Sequence, residues 1–335
     1  ICTVVDDLII GYSGDISPLL QQLQDQYNIT SEKKLEYVLG MEVKRDRKAR
    51  RLWLTQSGYI GRILRRYGMD GDDVKMREIP APTDAKLSVT MCGDLPLDPK
   101  GGTNIVRQMV GSLLFAAVCT RPEIAREVSD LARFVSNPGK PMKVRGKDIL
   151  RYLKKYPDEG ICLGGRSLDS DHHWSDSDYG GDCACPEDTH RSRTSFYNFL
   201  GIGPVSWKSK LQATVAQSSC EAETVAACQC SNTVMWLRSL MGELGFPFSK
   251  RSLLFIDNKG AKDAARNPCN HKRMKHMHIK WHVLRERHQN GDLYVLWIDG
   301  DYNIADLGTK APPARRVNNL KDLIVARRRI ELPNK

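Results

Sequence analysis

The sequence predicts an α/β (α+β) chain: strands and helices lead through a helical middle into a mixed sheet with flanking helices. Three observations carry that prediction. After Gly164-Gly165 three short apolar strands precede a long helix, and further strands then alternate with helices. Between about residues 104 and 156 the apolar residues recur at helical spacing. Ahead of both, short apolar runs are broken by turn residues.

Taken in order, Thr3-Val4-Val5-Asp6-Asp7-Leu8-Ile9-Ile10 sets two acids between two apolar runs, the pattern of a β-hairpin with the acids at its turn. Ser17-Pro18 opens a helix to about Tyr27, with Pro in its first turn and Leu19, Leu20 and Leu23 on one face. Strands over 35–43 and 51–54 are joined by a charged turn, and a helix over 56–67 ends near Gly68. Prolines, glycines and scattered charge make 70–103 an irregular connection. Helices follow over 104–118, 122–135 and 141–156, the last two separated by Ser136-Asn137-Pro138-Gly139-Lys140. Strands over 172–175, 195–200 and 204–207 then precede a helix over 215–244, whose Trp236, Leu237, Leu240, Met241 and Leu244 suggest one apolar face. A strand over 253–256, a helix from Asn258, a basic helix within 271–289, a strand over 293–297 and a short helix near Ala305 complete the unit.

The 335 residues suffice for two cores, and 41% hydrophobic with 27% charged residues describes a folded chain. The formal charge of +11 favours a polyanionic partner, although a merely basic surface would give the same figure. Ten cysteines are scattered without any C-x-x-C, the closest pairs being Cys183/Cys185 and Cys228/Cys230. That spacing argues against a zinc ribbon or a secreted disulfide scaffold and suits reduced thiols in an intracellular protein. No apolar run approaches membrane-spanning length. The chain begins with Ile inside a strand-like run, as a fragment of something longer would.

Acids at strand ends carry the chemistry. Asp176 follows one short strand, and Asp257 directly follows Leu253-Leu254-Phe255-Ile256. Carboxylates at such ends can converge, and a converged set calls for hard divalent cations such as Mg²⁺. Two ions roughly 4 Å apart can activate water and stabilise a leaving oxygen in phosphodiester hydrolysis. The plainer reading of Asp257 is a cap on the helix that Asn258 opens. On the long helix, Glu221 and Glu223 point roughly 200° apart, so only one can face the sheet. Ser218-Ser219-Cys220-Glu221 has the form of a helix start, which leaves Glu223 for the site. The stretch from His271 to His282 is densely cationic; His278 and His282 have zinc spacing, but interleaved Lys and Arg favour a phosphate-facing surface. Asp6-Asp7 alone says little, since turns favour Asp.

Several segments together resemble copia-type LTR retrotransposon Pol polyproteins. Val4-Val5-Asp6-Asp7 resembles the palm hairpin of reverse transcriptases, and Leu39-Gly40-Met41-Glu42-Val43 with Leu52-Trp53-Leu54-Thr55-Gln56-Ser57-Gly58-Tyr59-Ile60 resembles the stretch after it. Val110-Gly111-Ser112-Leu113-Leu114, Cys119-Thr120-Arg121-Pro122-Glu123-Ile124-Ala125, Phe134-Val135-Ser136-Asn137-Pro138 and Ile149-Leu150-Arg151-Tyr152-Leu153-Lys154 are similar to the connecting region. Ser175-Asp176-Ser177-Asp178-Tyr179-Gly180-Gly181-Asp182 looks like the first acidic motif of the family's ribonuclease H domain. Ser206-Trp207-Lys208-Ser209-Lys210, Ser218 to Glu223, Asp257-Asn258-Lys259, Lys275-His276, His282 and Asn303-Ile304-Ala305-Asp306-Leu307 continue the order to about residue 320.

The resemblance implies the C-terminal part of reverse transcriptase over 1–69 (palm hairpin and thumb-like region) and a mostly helical connection over 70–163. It further implies a ribonuclease H-like domain over 164–311 and a basic C-terminal tail over 312–335. Asp176, Glu223, Asp257 and Asp306 take the catalytic, metal-binding positions, for two Mg²⁺ (or Mn²⁺) ions. Asp6 and Asp7 take the polymerase motif, while Lys208, Lys210, Arg273, Lys275, His276 and His282 take nucleic-acid-binding positions. The implied partners are an RNA–DNA hybrid, DNA, and upstream polyprotein segments (reverse transcriptase fingers and integrase). The implied setting is a cytoplasmic virus-like particle or the nucleus. With the first polymerase Asp and the fingers expected upstream of Ile1, this chain alone should not polymerise.

Departures from the family pattern are Val4 for Tyr, Cys220 for Thr, Thr224 for Tyr, Tyr179 for Trp, Phe196 for Gly, and His278 where an acid is common. None removes a carboxylate of the ribonuclease H set. They fit equally a rival: a catalytically dead relic or a repurposed nucleic-acid-binding module.

Overall fold

The structure, a computed structural model, describes residues 2–4, 7–27, 29, 35–83, 86–93, 95, 104–165, 171–266 and 278–324. Strands β1 (Cys2–Val4) and β2 (Asp7–Ile9) form the expected antiparallel hairpin, with Val4 opposite Asp7. Asp6 lies outside the described residues. Helix α1 (Ser17–Gln26) follows, with proline in its first turn.

A first sheet takes the order β3-β4-β5-β6, all neighbours antiparallel, from Tyr37–Val38, Met41–Asp46, Arg51–Thr55 and Gly160–Gly164. Sequence suggested one strand over 35–43; instead Leu39 and Gly40 turn it back on itself at φ 49° and 79°. Two successive positive φ values are the signature of a two-residue hairpin turn, and only the glycine adopts one without strain. The fourth strand, which sequence placed within the helical stretch, returns after more than a hundred residues to pair with β5.

Between those strands lie α2 (Ser57–Arg66), α3 (Ile105–Cys119), a 3₁₀ turn (Pro122–Ile124), α4 (Ala125–Ala132) and α5 (Lys140–Lys155). Asn104 caps α3 by accepting from the Arg107 amide at 2.8 Å. Ile60, Leu113, Val128, Leu131, Ile149 and Leu153 bury together as the core of this helical region. Each such side chain contributes about 1.5–3 kcal/mol of burial.

The second sheet has the order β11-β10-β7-β8-β9. Its strands are β7 (Asp171–Asp178), β8 (Arg193–Leu200), β9 (Gly203–Leu211), β10 (Ser252–Ile256) and β11 (Leu293–Trp297). The first three form an antiparallel meander, while β10 runs parallel to both β7 and β11. Helices α6 (Ser219–Glu243), α7 (Lys259–Arg266) and α8 (His278–Gln289) supply the crossovers. Alternation along β10 divides the core: Leu254 and Ile256 pack with Phe196, Val234 and Leu284, whereas Phe255 stacks on Trp174 at 4.6 Å. The result is a mixed α/β unit with a five-stranded sheet and packed helices.

Two readings of the sequence need correction here. On α6 the buried row is Cys230, Val234, Leu237 and Met241; Trp236 and Leu244 stay exposed because they fall on the neighbouring face. At the C-terminus, residues read as the start of a basic tail form α9 (Ala314–Ile324). Its Val317, Leu320 and Ile324 recur at helical spacing and bury against the Trp174 side of the sheet. Lys321 of the same helix is buried too, 3.1 Å from Glu159 and over the Tyr156 ring at 3.7 Å.

No helix among the described residues is long and apolar enough to cross a membrane. Cys92, Cys119, Cys162, Cys183, Cys185, Cys220, Cys228 and Cys230 are free thiols.

Candidate active site

Because β7 and β10 are parallel neighbours, their C-terminal ends lie side by side. Asp176 sits near the end of β7 and Asp257 just past β10. Helix α6 packs across β7 and β8 and brings Glu223, in its second turn, over the same end. One carboxylate oxygen from each of Asp176, Glu223 and Asp257 comes within 4.8 Å of the other two. Among the described residues no other three of His, Cys, Asp and Glu gather so closely.

Local capping explains why these particular acids are available. Ser218 caps α6 by accepting from the Glu221 amide at 3.1 Å, and the Glu221 carboxylate accepts from the Gln217 amide at 2.8 Å. Glu221 is thereby committed to the helix start, as its position in the sequence suggested. Likewise Asn258, rather than Asp257, caps α7, accepting from the Ala261 amide at 2.9 Å. The capping reading of Asp257 gives way to one in which its carboxylate faces the other acids.

Neighbours hold the acids in place. The Ser177 amide and hydroxyl both donate to Glu223 Oε1, at 3.1 and 2.9 Å. Glu223 Oε2 is buried and has no hydrogen-bond partner. The Thr309 hydroxyl donates to Asp176 Oδ2. Asn303 donates to the Ser175 carbonyl at 3.1 Å and caps the turn Ile304–Gly308 that carries Asp306. Gly308 lies so close to β8 that a Cβ there would come within 2.1 Å of Ser195 Oγ, so this turn needs glycine at its end.

Asp306 adjoins the three acids but is engaged differently. Lys310 Nζ lies 2.8 Å from its Oδ1, and Arg316 donates to its Oδ2. Lys310 also stands 3.8 Å from Asp176. Sequence reasoning named Asp306 and missed its neighbours Thr309, Lys310 and Arg316, and Ser177 beside Glu223. The one signal available was spacing, since Thr309 and Lys310 follow Asp306 by three and four residues on a helical turn.

Like charges this close, out of water, resist ionisation. Burial first, then Asp306, pushes Asp176 up to about 8. Burial, Asp176 and Asp257 raise Glu223 well above the ordinary range, and burial also raises Asp257. For Lys310 burial works against the charge, but Asp176 and Asp306 outweigh it and raise the ammonium pKa. A converged carboxylate set with an unpartnered buried oxygen fits a hard divalent cation such as Mg²⁺ or Mn²⁺. Asp176, Glu223 and Asp257 are the residues that could hold one.

The remaining sequence candidates are dispersed. Lys208 and Lys210 are exposed on β9, the edge strand of the sheet. His282 is exposed on α8, whose neighbouring Trp281 is buried and donates to Thr224 Oγ1 at 2.8 Å, one residue beyond Glu223. Arg273, Lys275 and His276 lie outside the described residues, as do Asp6 and the side chains of Asp7 and His278.

No protein-family model matches the chain. The retrovirus-related Pol polyprotein from transposon TNT 1-94 of Nicotiana tabacum is 36% identical over 327 residues, covering 96% of this chain and 24% of that polyprotein. The corresponding polyprotein from transposon RE1 of Arabidopsis thaliana is 34% identical over 309 residues, covering 91% and 20%. The chain thus spans about a quarter or less of the length of these relatives. An uncharacterized mitochondrial protein of Arabidopsis thaliana is 30% identical over 234 residues, covering 69% of this chain and 91% of that protein. Among solved structures, the N-terminal RNase H domain of a Mycobacterium tuberculosis protein aligns with 45% of this chain and 96% of its own, at 9% identity and a TM-score of 0.29. By its similarity over most of its length to the polyproteins of transposons TNT 1-94 and RE1, the chain belongs to the family of retrovirus-related Pol polyproteins of transposons.

Proposed function

We propose that the second unit is a metal-dependent nuclease of ribonuclease H type, cleaving the RNA strand of RNA–DNA hybrids. The observation that carries this reading is the convergence of Asp176, Glu223 and Asp257 at one sheet end, the first two buried and the third half-buried. Two divalent ions held there would supply an activated water and a Lewis acid for the leaving oxygen. The chain's own part is positional. Ser177 fixes one oxygen of Glu223 and leaves the other unpartnered. Thr309 orients Asp176, and Asp306 takes part through the loop that also carries Lys310.

For the substrate, Lys208 and Lys210 on the edge strand and His282 on α8 would meet phosphates, in keeping with the net charge of +11.

The test is cleavage of a labelled RNA–DNA hybrid with Mg²⁺ by the full chain and by Asp257→Asn. Cleavage by the chain, lost in the variant and on chelation, is the expected result. Equal cleavage by both would sink the site assignment. A second reading, a nucleic-acid binder without catalysis, has one observation in its favour. Lys310 and Arg316 already neutralise Asp306, so part of the acid set is satisfied without metal. That reading expects salt-sensitive hybrid binding with no Mg²⁺-dependent product.

A further inference from the structure

We infer that Arg126, on the helical region outside the second sheet, is a positioning residue for the acid cluster, so that the centre is assembled across two units. The inference rests on the metal-dependent reading above. Arg126 belongs to α4 and is buried, 5% exposed. Its Nε donates to the Thr309 carbonyl at 3.1 Å, across 183 residues of sequence. The Thr309 hydroxyl donates in turn to Asp176 Oδ2. One residue therefore receives the helical region at its carbonyl and holds an acid of the cluster with its side chain.

The rest of the guanidinium is already satisfied without this contact. It pairs with Glu127, and Asp130 lies 3.8 Å away. The planar fork leaves Nε pointing elsewhere, and that donor is aimed at the loop. On its other side the loop is held by the sheet, where Ser209 Oγ donates to the Gly308 carbonyl at 2.6 Å. Thr309 is thus gripped between β9 and α4, and so is the orientation of Asp176. Partners that orient a ligand in this way typically change metal affinity by roughly 10–100-fold when removed.

Other charged contacts across the same interface do not reach the acids and serve as controls. Arg133 of the same region pairs with Asp182 and also lies 3.4 Å from Asp130, which it shares with Arg126, but its bonds lead to those acids and not to Thr309.

The experiment is Mn²⁺ binding by the full chain, measured by calorimetry, with thermal melting of each variant alongside. Arg126→Met is expected to weaken Mn²⁺ about tenfold or more. Arg133→Met is expected to stay within about twofold of the parent, because Arg133 shares Asp130 with Arg126 but does not supply the bond to the Thr309 carbonyl. If Arg126→Met does not fold, Arg126→Lys keeps the charge beside Glu127 and Asp130 but lacks the Nε donor, and the same weakening is expected. Unchanged Mn²⁺ affinity in a folded Arg126 variant overturns the inference, as does an equal loss in Arg133→Met. A parent chain that takes up no Mn²⁺ overturns the metal reading itself, and the inference with it.

Discussion

Two clusters of buried charge lie within one interface of each other, and they are built in opposite ways. Between α4 and the second sheet, Arg126, Glu127, Asp130, Arg145 and Arg193 alternate in sign, and each acid there has an arginine against it. At the sheet end, Asp176, Glu223 and Asp257 bring like charges together. The first cluster explains itself, since paired charges can leave water when their geometry is good. The second cannot be justified by folding, because ionising any one of its acids raises the cost of ionising the others. Arginine lowers the pKa of Asp130 against its burial, led by Arg193, whereas nothing of that kind rescues Glu223. The difference separates charge that joins two units from charge that, on the proposed reading, a cation would balance.

The sharpest way to break this comparison is to neutralise one acid in each cluster. Asp130→Asn leaves Arg193 and Arg126 short of a partner and should destabilise the chain by about 3–5 kcal/mol in denaturant melts. Asp176→Asn should leave the metal-free fold as stable as the parent or more so. Its hybrid cleavage should fall at least about a hundredfold, from the several kcal/mol that bound metal contributes. Equal destabilisation by both substitutions would mean that the acid cluster is ordinary structure.

A smaller effect follows from pH. Asp176 holds its proton to about 8, against 3.8 ordinarily, so the folded state binds the extra proton through that window. Metal-free stability should therefore fall as pH rises from about 4 through about 8. His172 acts with the opposite sign: buried and neutral, with a pKa pushed down to about 3 from 6.5, it costs stability only as pH drops below 6.5. Above pH 6.5 His172 no longer contributes and the raised acids of the cluster should govern. Melting in EDTA should show a lower midpoint at pH 8 than at 6.5, a difference reduced in Asp176→Asn and reversed by Mg²⁺. A flat profile in the parent would count against the raised Asp176.

The smallest expected change concerns the surface. If Lys208 and Lys210 meet phosphates, replacing both with Ala should reduce the slope of log K against log salt by about one per lysine, without touching metal affinity. An unchanged slope would move the substrate path off β9.

How far the sequence anticipated this molecule depends on whether a signal was local. Strands β7, β8, β10 and β11 were legible because apolar runs and flanking turns are local, and 293–297 agrees residue for residue. Glu223 could be told from Glu221 because helical periodicity and a serine cap are local too. The Leu39-Gly40 turn was hidden, since nothing in a leucine announces a positive φ. Strand β6 was hidden because five residues, Gly160 to Gly164, carry no alternation and find their partner far back in the chain. In the site, the ordered motifs named four acids, but only the fold separates three that converge from Asp306, held by Lys310 and Arg316. Arg126 had no signal at all, because its bond to Thr309 exists only once the two units dock.

The central claim is that Asp176, Glu223 and Asp257 together hold a divalent cation. Anomalous diffraction from crystals of the full chain grown with Mn²⁺ tests it most directly. The account predicts a Mn²⁺ peak within bonding distance of all three carboxylates, with Glu223 Oε2 among its ligands. Ordered carboxylates with no peak between them, or a peak bound elsewhere, would contradict it.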